Sequence, residues 1–322
     1  MNKASKTSGK WKVLITPKEA CELLGSMPAG LSSSIDTKPT YGRLQDRNRL
    51  VELLSDKDAV VLDLESITGD VLKHCPKLKV ISRFGEGCDA IDLGAVKNSG
   101  VKVTRTRAVS SSAVARHAMT LILGMLHRVT ENDRDLKSGL WKRSPNISAE
   151  GSTLGIFGFG KIGKELARLA EGFGFKILIC DKEKMPCKYK TAHNLDELIA
   201  LSNVVSLHVP LTDETKCVVS KDTIKKFEGK YLVNTARGGL VDESVLLEAL
   251  VQNKMAGYGT DVFTHEPITG ISGELAKQPN VICSPHVAAL DKTTTIKMTE
   301  RAIRNALHCL NNEHEKVDSY VI

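Results

Sequence analysis

Short apolar runs recur along the first third of the chain and alternate with stretches of helical periodicity. Four of these runs are rich in β-branched residues: KVLIT (12–16), AVVLDL (59–64), KVISRF (79–84) and VKVTRT (101–106). Runs that are apolar on both faces are typical of parallel strands covered by helices on each side. The pattern therefore predicts an α/β domain that begins the chain.

A long apolar helix is predicted over residues 113–129, and the same alternation resumes after a polar stretch. Six further runs follow at helix-sized intervals: TLGIFG (153–158), KILICD (176–181), NVVSLHV (203–209), KYLVNT (230–235), GYGTDV (257–262) and NVICSP (280–285). Six such runs predict a doubly wound parallel sheet with two mononucleotide-binding halves. Residues 293–310 carry apolar side chains at near-helical spacing, which predicts a terminal amphipathic helix.

Composition and charge narrow the class of protein. The 322 residues are 41% hydrophobic and 26% charged, which suits about two globular domains. The net charge of +7 is compatible with an anionic partner. Aromatic residues, however, make up only 4% of the chain, and the sequence contains no nucleic-acid-binding motif. We expect neither a nucleic-acid partner nor a membrane partner, because no signal-peptide core or long apolar segment is present.

The eight cysteines contain no CxxC pair and no zinc-type spacing with histidine. They are expected to be reduced thiols in a cytoplasmic protein, and no metal site is expected.

A glycine-rich segment, Gly158-Phe159-Gly160-Lys161-Ile162-Gly163, stands between a predicted buried strand and a predicted helix. Gly158 permits a tight turn, Gly160 lets the backbone approach a pyrophosphate, and Gly163 lets helix and strand pack closely. The helix N-terminus then offers unpaired N–H groups to phosphates. A lone GxGxxG is weak evidence, but its position between strand and helix strengthens it.

Asp181 ends the next predicted strand, eighteen residues after Gly163. Its carboxylate can accept hydrogen bonds from both ribose hydroxyls of NAD, and its charge would repel the 2′-phosphate of NADP. A solvated acid at a strand end is the ordinary alternative. Together with the glycine segment, Asp181 predicts NAD as the cofactor.

Three chemically useful side chains follow the last three predicted strands. Arg237 comes after KYLVNT, Glu266 after GYGTDV, and His286 after NVICSP. In a parallel sheet these positions share the carboxyl edge, where ligands bind. An arginine holds a carboxylate with two hydrogen bonds, and a histidine paired with a carboxylate transfers a proton beside a hydride-transfer step. Each residue alone could be an ordinary surface group, so the set carries the prediction of 2-hydroxyacid chemistry.

The chain resembles the D-isomer-specific 2-hydroxyacid dehydrogenase family. The resemblance extends over most of the chain and rests on FGEGCDAIDLGAV (84–96), TLGIFGFGKIGKELA (153–167), HVPLTDET (208–215), VNTARGGLVDESVLLEAL (233–250), GTDVFTHEP (259–267) and NVICSPHVAA (280–289). It implies a Rossmann cofactor domain inserted into a flavodoxin-like substrate domain. The implied boundaries are 1–112 and 292–322 for the substrate domain and 113–291 for the NAD-binding domain. It also implies a homodimer joined through the cofactor domain.

The resemblance also implies roles for individual residues. His286 is the expected acid/base, Glu266 its partner and Arg237 the substrate anchor. The backbone of the loop from Arg83 to Gly87 is expected to close on a small anionic substrate, so the implied substrate residues besides Arg237 are Arg83, Gly85, Glu86 and Gly87. Besides the three glycines and Asp181, the implied cofactor residues are Lys161, Ile162, Val209, Pro210, Thr235, Ala236, Asp261, His286 and Ala288.

The sequence departs from the family at three places. The family helix that reads VAEH reads Val114-Ala115-Arg116-His117 here, Glu86 replaces a small or neutral loop residue, and Val287-Ala288-Ala289 replaces a glycine pair. No catalytic group is removed, but Glu86 and Arg116 are expected to affect substrate choice, through a mutual ion pair.

The substrate stays open between 3-phosphoglycerate, glycerate and acids of the glyoxylate or hydroxypyruvate type. Arg83 and three arginines that follow it (Arg105, Arg107 and Arg116) could meet a phosphate. Asp63 and Glu65, however, stand where phosphoglycerate dehydrogenases tend to place an arginine. Two alternatives to this chemistry are an NAD(H)-sensing protein that resembles co-repressors, and phosphite or formate oxidation.

Overall fold

The computed structural model describes residues 11–26, 31, 35–36, 46–183 and 186–322. The chain divides into two compact units, one formed by residues 1–110 with 290–322 and the other by residues 111–289. Both divisions lie two residues before the boundaries expected from the sequence. Within the described ranges, no helix has the length and apolar character needed to cross a membrane.

The first unit contains a five-stranded sheet in the order β2-β1-β3-β4-β5, with every neighbouring pair parallel. This is the flavodoxin-like order, and it confirms the fold predicted for this part of the chain. The two-residue strand β2 was not predicted, because two residues carry no periodicity. The strands are β1 (Trp11–Ile15), β2 (Ile35–Asp36), β3 (Ala59–Leu62), β4 (Val80–Arg83) and β5 (Lys102–Arg105).

Capping residues define the helices that connect these strands. The side chains of Asp46, Thr68 and Asp92 accept hydrogen bonds from first-turn backbone N–H groups. Gly100, in the left-handed conformation with φ 77°, ends the last of the helices. The helices are α1 (Lys18–Glu22), α2 (Arg47–Leu54), α3 (Gly69–Lys73) and α4 (Leu93–Ser99).

The second unit contains a seven-stranded sheet in the order β12-β11-β10-β9-β6-β7-β8, again with parallel pairs throughout. This is the doubly wound dinucleotide-binding order with one strand added beyond the sixth, so the predicted Rossmann sheet is confirmed. The strands are β6 (Thr153–Phe157), β7 (Lys176–Cys180), β8 (Lys190–Thr191), β9 (Val204–Leu207), β10 (Tyr231–Asn234), β11 (Gly257–Thr260) and β12 (Val281–Cys283).

Helices cover both faces of this sheet and bury its apolar strands. One face packs against α5 and α7, the other against α8 and α10. The helix predicted over 113–129 is shorter, because Arg128 adopts φ 52° and a separate helix, α6, begins after it. The helices are α5 (Ser111–Leu126), α6 (Val129–Lys137), α7 (Lys161–Glu171), α8 (Leu195–Leu201), α9 (Lys221–Ile224), α10 (Glu243–Val251) and α11 (Gly270–Ala276).

The terminal amphipathic helix is α12 (Lys292–Leu310), and it packs on strands β3, β4 and β5 of the first unit. Ser82 Oγ donates to the Ala302 carbonyl at 2.8 Å, and Asn305 Nδ2 donates to the Arg105 carbonyl at 3.2 Å. These hydrogen bonds, the first buried and the second partly buried, join residues far apart in sequence and fix the helix on the sheet.

Candidate active site

The glycine loop between β6 and α7 is shaped by two positions where no side chain fits. A Cβ on Gly158 would lie 2.6 Å from the backbone carbonyl group of His208, and one on Gly163 would lie 2.3 Å from the Gly158 oxygen. Gly158 also has φ 98°, which favours glycine. Gly160 differs, because a Cβ there would meet nothing within 4 Å. The loop therefore leaves open space on the side of Gly160.

The N-terminus of α7 faces this open space without a capping side chain. Gly160 is its N-cap and makes no side-chain hydrogen bond to the first-turn N–H groups, which suits an anionic ligand. Lys161 and Ile162 begin the helix. Beside the loop, Asp181 Oδ2 accepts from Phe159 N at 2.5 Å and Oδ1 accepts from Glu183 N at 2.9 Å. The Asp181 carboxylate is therefore fixed next to the glycine loop.

The remaining predicted cofactor residues follow the carboxyl ends of adjacent strands. Val209 and Pro210 follow β9, and Thr235 and Ala236 follow β10; Asp261 follows β11, and Ala288 lies beyond β12. The strand order reverses between β6 and β9, the place where doubly wound sheets bind ligands. Thr235 Oγ1 is buried and has no hydrogen-bond partner within the described part of the chain. A ligand at this edge would give that hydroxyl a partner.

Arg237 follows a turn that is fixed by the fully buried side chain of Asn234. Asn234 Nδ2 donates to the Arg237 carbonyl at 2.8 Å, and its Oδ1 accepts from Ala236 N at 3.0 Å. The next residue, Gly238, packs directly on another backbone, since a Cβ there would lie 2.0 Å from Phe263 C. The segment that carries Arg237 is thus fixed against the segment that leads to Glu266.

His286 and Glu266 form the predicted pair. His286 Nδ1 lies 2.8 Å from Glu266 Oε2, and the other carboxylate oxygen accepts from Phe263 N at 2.9 Å. Because a carboxylate only accepts hydrogen bonds, Nδ1 carries a proton and Nε2 is left for another partner. The side chains are 29% and 18% exposed, so the pair is accessible while partly shielded from water.

The turn that carries His286 has an uncommon backbone conformation. His286 has φ 58°, which costs a non-glycine residue on the order of 1 kcal/mol and persists only where its surroundings fix it. His286 N donates to the Asp261 carbonyl at 2.9 Å. The Asp261 carboxylate, in a residue only 1% exposed, accepts from Val287 N at 2.9 Å and Ala288 N at 2.8 Å. Asp261 therefore holds the turn from both its backbone and its side chain.

Several supporting residues escaped the sequence analysis. Buried Glu243 accepts from Thr264 N at 2.7 Å and Ser272 Oγ at 2.5 Å, which fixes the loop around Glu266. Ser284 donates to Asp261, and His117, for which the sequence indicates no role at the site, contacts Ser284. Most of these residues bind partners that are distant in sequence, so local patterns do not reveal them. The one sequence signal for such a residue is a polar side chain inside an apolar run, as at Asn234.

The predicted substrate loop belongs to the first unit. Arg83 has a 7% exposed side chain, and its guanidinium donates to the carbonyls of Gly87 (2.8 Å), Leu62 (3.1 Å) and Phe84. Gly85, with φ 134°, donates its N–H to Thr106 Oγ1 at 2.9 Å. Arg83 therefore holds the shape of its own loop, and the contact of this loop with substrate stays a prediction.

Glu86 lies exposed in the same loop, and its Oε2 accepts from Ala108 N at 3.1 Å. Its ion pair with Arg116 stays a prediction. No group of three or more metal-ligating side chains is present in the ranges that the structure covers.

Comparison with known proteins identifies the family. The NAD-binding domain of the D-isomer-specific 2-hydroxyacid dehydrogenases matches residues 119–288 of this chain. The chain belongs to that family. It is an NAD-dependent oxidoreductase that acts on 2-hydroxy acids.

Individual relatives of this family member agree with the assignment. The chain is 37% identical to a hydroxypyruvate reductase of Thermotoga maritima over 253 residues, which are 76% of this chain and 82% of that protein. It is 34% identical to a glyoxylate reductase of Thermococcus litoralis over 276 residues, or 81% and 83% of the two chains. The solved structure of the D-lactate dehydrogenase of Aquifex aeolicus, complexed with NAD and lactic acid, superposes on this dehydrogenase with a TM-score of 0.84 at 27% identity. The superposition includes 96% of this chain and 98% of that chain.

The residues of this dehydrogenase fit NAD. The open space at Gly160 would take a pyrophosphate that a side chain would block, and the uncapped start of α7 suits its charge. The Asp181 carboxylate suits ribose hydroxyls, and Thr235 Oγ1 lacks a protein partner within the described ranges. When bound, NAD supplies the acceptor or donor of a hydride.

Proposed function

We propose that this chain reduces a small 2-keto acid of the glyoxylate or hydroxypyruvate type to the corresponding 2-hydroxy acid, the D isomer where the product is chiral, with NADH as the cofactor. The observation that carries the proposal is the His286–Glu266 pair, 2.8 Å long, at the same sheet edge as Arg237 and the glycine loop. The curated relatives named hydroxypyruvate and glyoxylate reductases support the substrate class.

In this proposal each side chain has one task. Arg237 binds the substrate carboxylate with its planar guanidinium and thereby orients the neighbouring carbonyl group. His286 donates a proton from Nε2 to the carbonyl oxygen during reduction and removes it in the reverse direction. Glu266, hydrogen-bonded to Nδ1, keeps the ring oriented and stabilises the protonated imidazole.

The phosphorylated substrate, 3-phosphoglycerate, is disfavoured by two features of the first unit. The Arg83 guanidinium is already engaged by carbonyl oxygens of its own loop. Glu65 is 2% exposed and accepts from Thr16 Oγ1 at 2.7 Å and from Asp63 N at 3.0 Å. A buried acid therefore stands where phosphoglycerate dehydrogenases tend to place an arginine. Both features favour a small, unphosphorylated acid, and glycerate would then be the product of hydroxypyruvate reduction.

The test is the rate of NADH oxidation with glyoxylate, hydroxypyruvate, pyruvate and phosphohydroxypyruvate. We expect glyoxylate or hydroxypyruvate to give the highest kcat/KM. His286→Gln should lower kcat by about a thousandfold or more, and Arg237→Ala should raise KM and lower kcat together.

Arg304, an exposed arginine on α12 that donates to Glu300, offers the control, because Arg304→Ala should leave both constants unchanged. A preference for phosphohydroxypyruvate would contradict the substrate assignment. Tight NADH binding with no turnover of any acid would favour the NAD(H)-sensing alternative, and oxidation of phosphite or formate alone would favour the remaining one.

We also propose that the protein is a homodimer joined through the second unit. Large apolar side chains cluster in the segment that includes α6: Val129, Leu136 and Leu140 are each 57% exposed, and Trp141 is 83% exposed. A cluster of this kind is typical of an interaction surface. Light scattering should give the mass of a dimer for the native chain and of a monomer for Leu140→Asp/Trp141→Asp; an unchanged mass would contradict this interface.

A further inference from the structure

A chain of hydrogen bonds links α5 to the turn that carries His286. His117 Nε2 lies 2.7 Å from Ser284 Oγ, and Ser284 Oγ donates to Asp261 Oδ1 at 2.5 Å. Because the carboxylate only accepts, the hydroxyl proton points to Asp261, and His117 must donate from Nε2 to the hydroxyl oxygen. The direction of each hydrogen bond is therefore defined from α5 to Asp261.

The hydrogen bonds at the end of this chain act on the residues around His286. The Asp261 carboxylate accepts from Ser284, Val287 N and Ala288 N, and its own carbonyl accepts from His286 N. Ser284 and Ala288, which lie on either side of His286 in sequence, therefore both donate to the same buried carboxylate. The left-handed backbone of His286, with φ 58°, needs this kind of support.

His117 connects the turn to a rigid element. It lies on α5, where Ala115 and Ala118 on either side are fully buried in the core of the second unit. The imidazole of His117 is 24% exposed, and its Nε2 lies 3.7 Å from Asp261 Oδ1. A hydroxyl rotates freely when nothing fixes it, so the donor on His117 selects the Ser284 rotamer that faces Asp261.

We propose that His117 and Ser284 are positioning residues for His286, acting through Asp261. Without them the Asp261 carboxylate loses one of the two donors on Oδ1, the other being Val287 N, and the turn that sets the direction of His286 Nε2 loosens. This inference rests on the acid/base role proposed for His286. His117 and Ser284 do not contact the proton that His286 transfers, and the sequence alone assigned them no role at the site.

The test compares disruptive and conservative variants at both positions. Ser284→Ala should lower kcat about tenfold, and His117→Leu should lower it by about fivefold, with KM for the keto acid unchanged because Arg237 is untouched. Ser284→Thr keeps a hydroxyl and His117→Gln keeps an N–H donor, so both should recover most of the wild-type kcat. His127→Leu, at an exposed histidine just beyond α5, is the matched control and should have no effect.

Two further measurements separate positioning from loss of folded enzyme. NADH-binding stoichiometry should stay at the wild-type value in every variant. Because the two side chains act in series, the double variant Ser284→Ala/His117→Leu should lose no more activity than Ser284→Ala alone.

Wild-type kcat in both disruptive variants, losses that multiply in the double variant, or failure of the Thr and Gln variants to recover activity would each overturn the inference. His286→Gln, measured in parallel, distinguishes failure of the premise. Near-normal turnover of that variant would contradict the acid/base role itself.

Discussion

Close backbone contact at single residues determines how the proposed catalytic groups are placed. Arg237 and Glu266 come from different strands, and they are brought to a fixed separation where Gly238 meets the Phe263–Thr264 peptide. A Cβ at position 238 would lie 2.0 Å from Phe263 C and 2.3 Å from Thr264 N. Neither neighbour is a flexible side-chain end, so the backbone itself would have to move.

Gly238→Ala should therefore separate the Arg237 segment from the Glu266 loop. We expect kcat/KM to fall by about a hundredfold and the melting temperature to drop by several degrees, because the new contact is a backbone clash. Steady-state kinetics and thermal unfolding measure the two effects. Gly273→Ala is the matched control, since a Cβ there meets nothing within 4 Å and the position lies inside α11. Wild-type activity in Gly238→Ala would contradict this account of the site.

Elements that bury apolar side chains on a regular period were predictable, and elements that do not were missed. The ten predicted runs all contain strands, and the amphipathic tail is α12. Strands β2 and β8 have two residues each, and α6 buries no residue, so none of them leaves a hydrophobic period to read. At the site, Arg237, Glu266 and His286 were predicted from their places after strands, and the structure brings His286 and Glu266 into contact. The link from His117 to Ser284 spans 167 positions and depends on tertiary packing.

The β6–loop–α7 element separates the roles of glycines that look alike in sequence. Gly160→Ala should fold with little loss of stability, because its Cβ enters open space, but it should raise the NADH dissociation constant by about tenfold or more. Gly163→Ala should instead lose stability, since its Cβ would lie 2.3 Å from the Gly158 oxygen. Fluorescence titration with NADH and thermal unfolding measure the pair. Normal NADH affinity in Gly160→Ala would contradict the proposed path of the pyrophosphate.

For the whole molecule, the excess of basic residues is less informative than the places where charge is buried or avoided. Most of the described ion pairs lie at exposed side chains, for example Lys137–Asp133 and Lys277–Glu274, where each contributes little to stability. Burial of a group that must stay neutral has a larger effect. His208, after β9, is such a group, since its Nδ1 is buried with no hydrogen-bond partner among the described residues.

Burial lowers the pKa of His208 from 6.5 to about 4. Between these values the unfolded chain binds a proton that the folded chain does not, so the free energy of unfolding falls as the pH falls from 7 toward 4. The contribution of this one residue between pH 7 and pH 5 is about 2 kcal/mol, from 1.36 kcal/mol per pKa unit over the titrating part of that interval.

Denaturant titrations of the wild type and of His208→Gln at both pH values isolate the contribution of His208, because the acidic groups common to both proteins cancel in the difference. The pH-dependent loss should be smaller in His208→Gln by that amount, whereas His193→Gln, at an exposed histidine, should leave the wild-type dependence unchanged. Equal losses in the wild type and in His208→Gln would show that His208 is protonated in the folded protein as readily as in the unfolded chain.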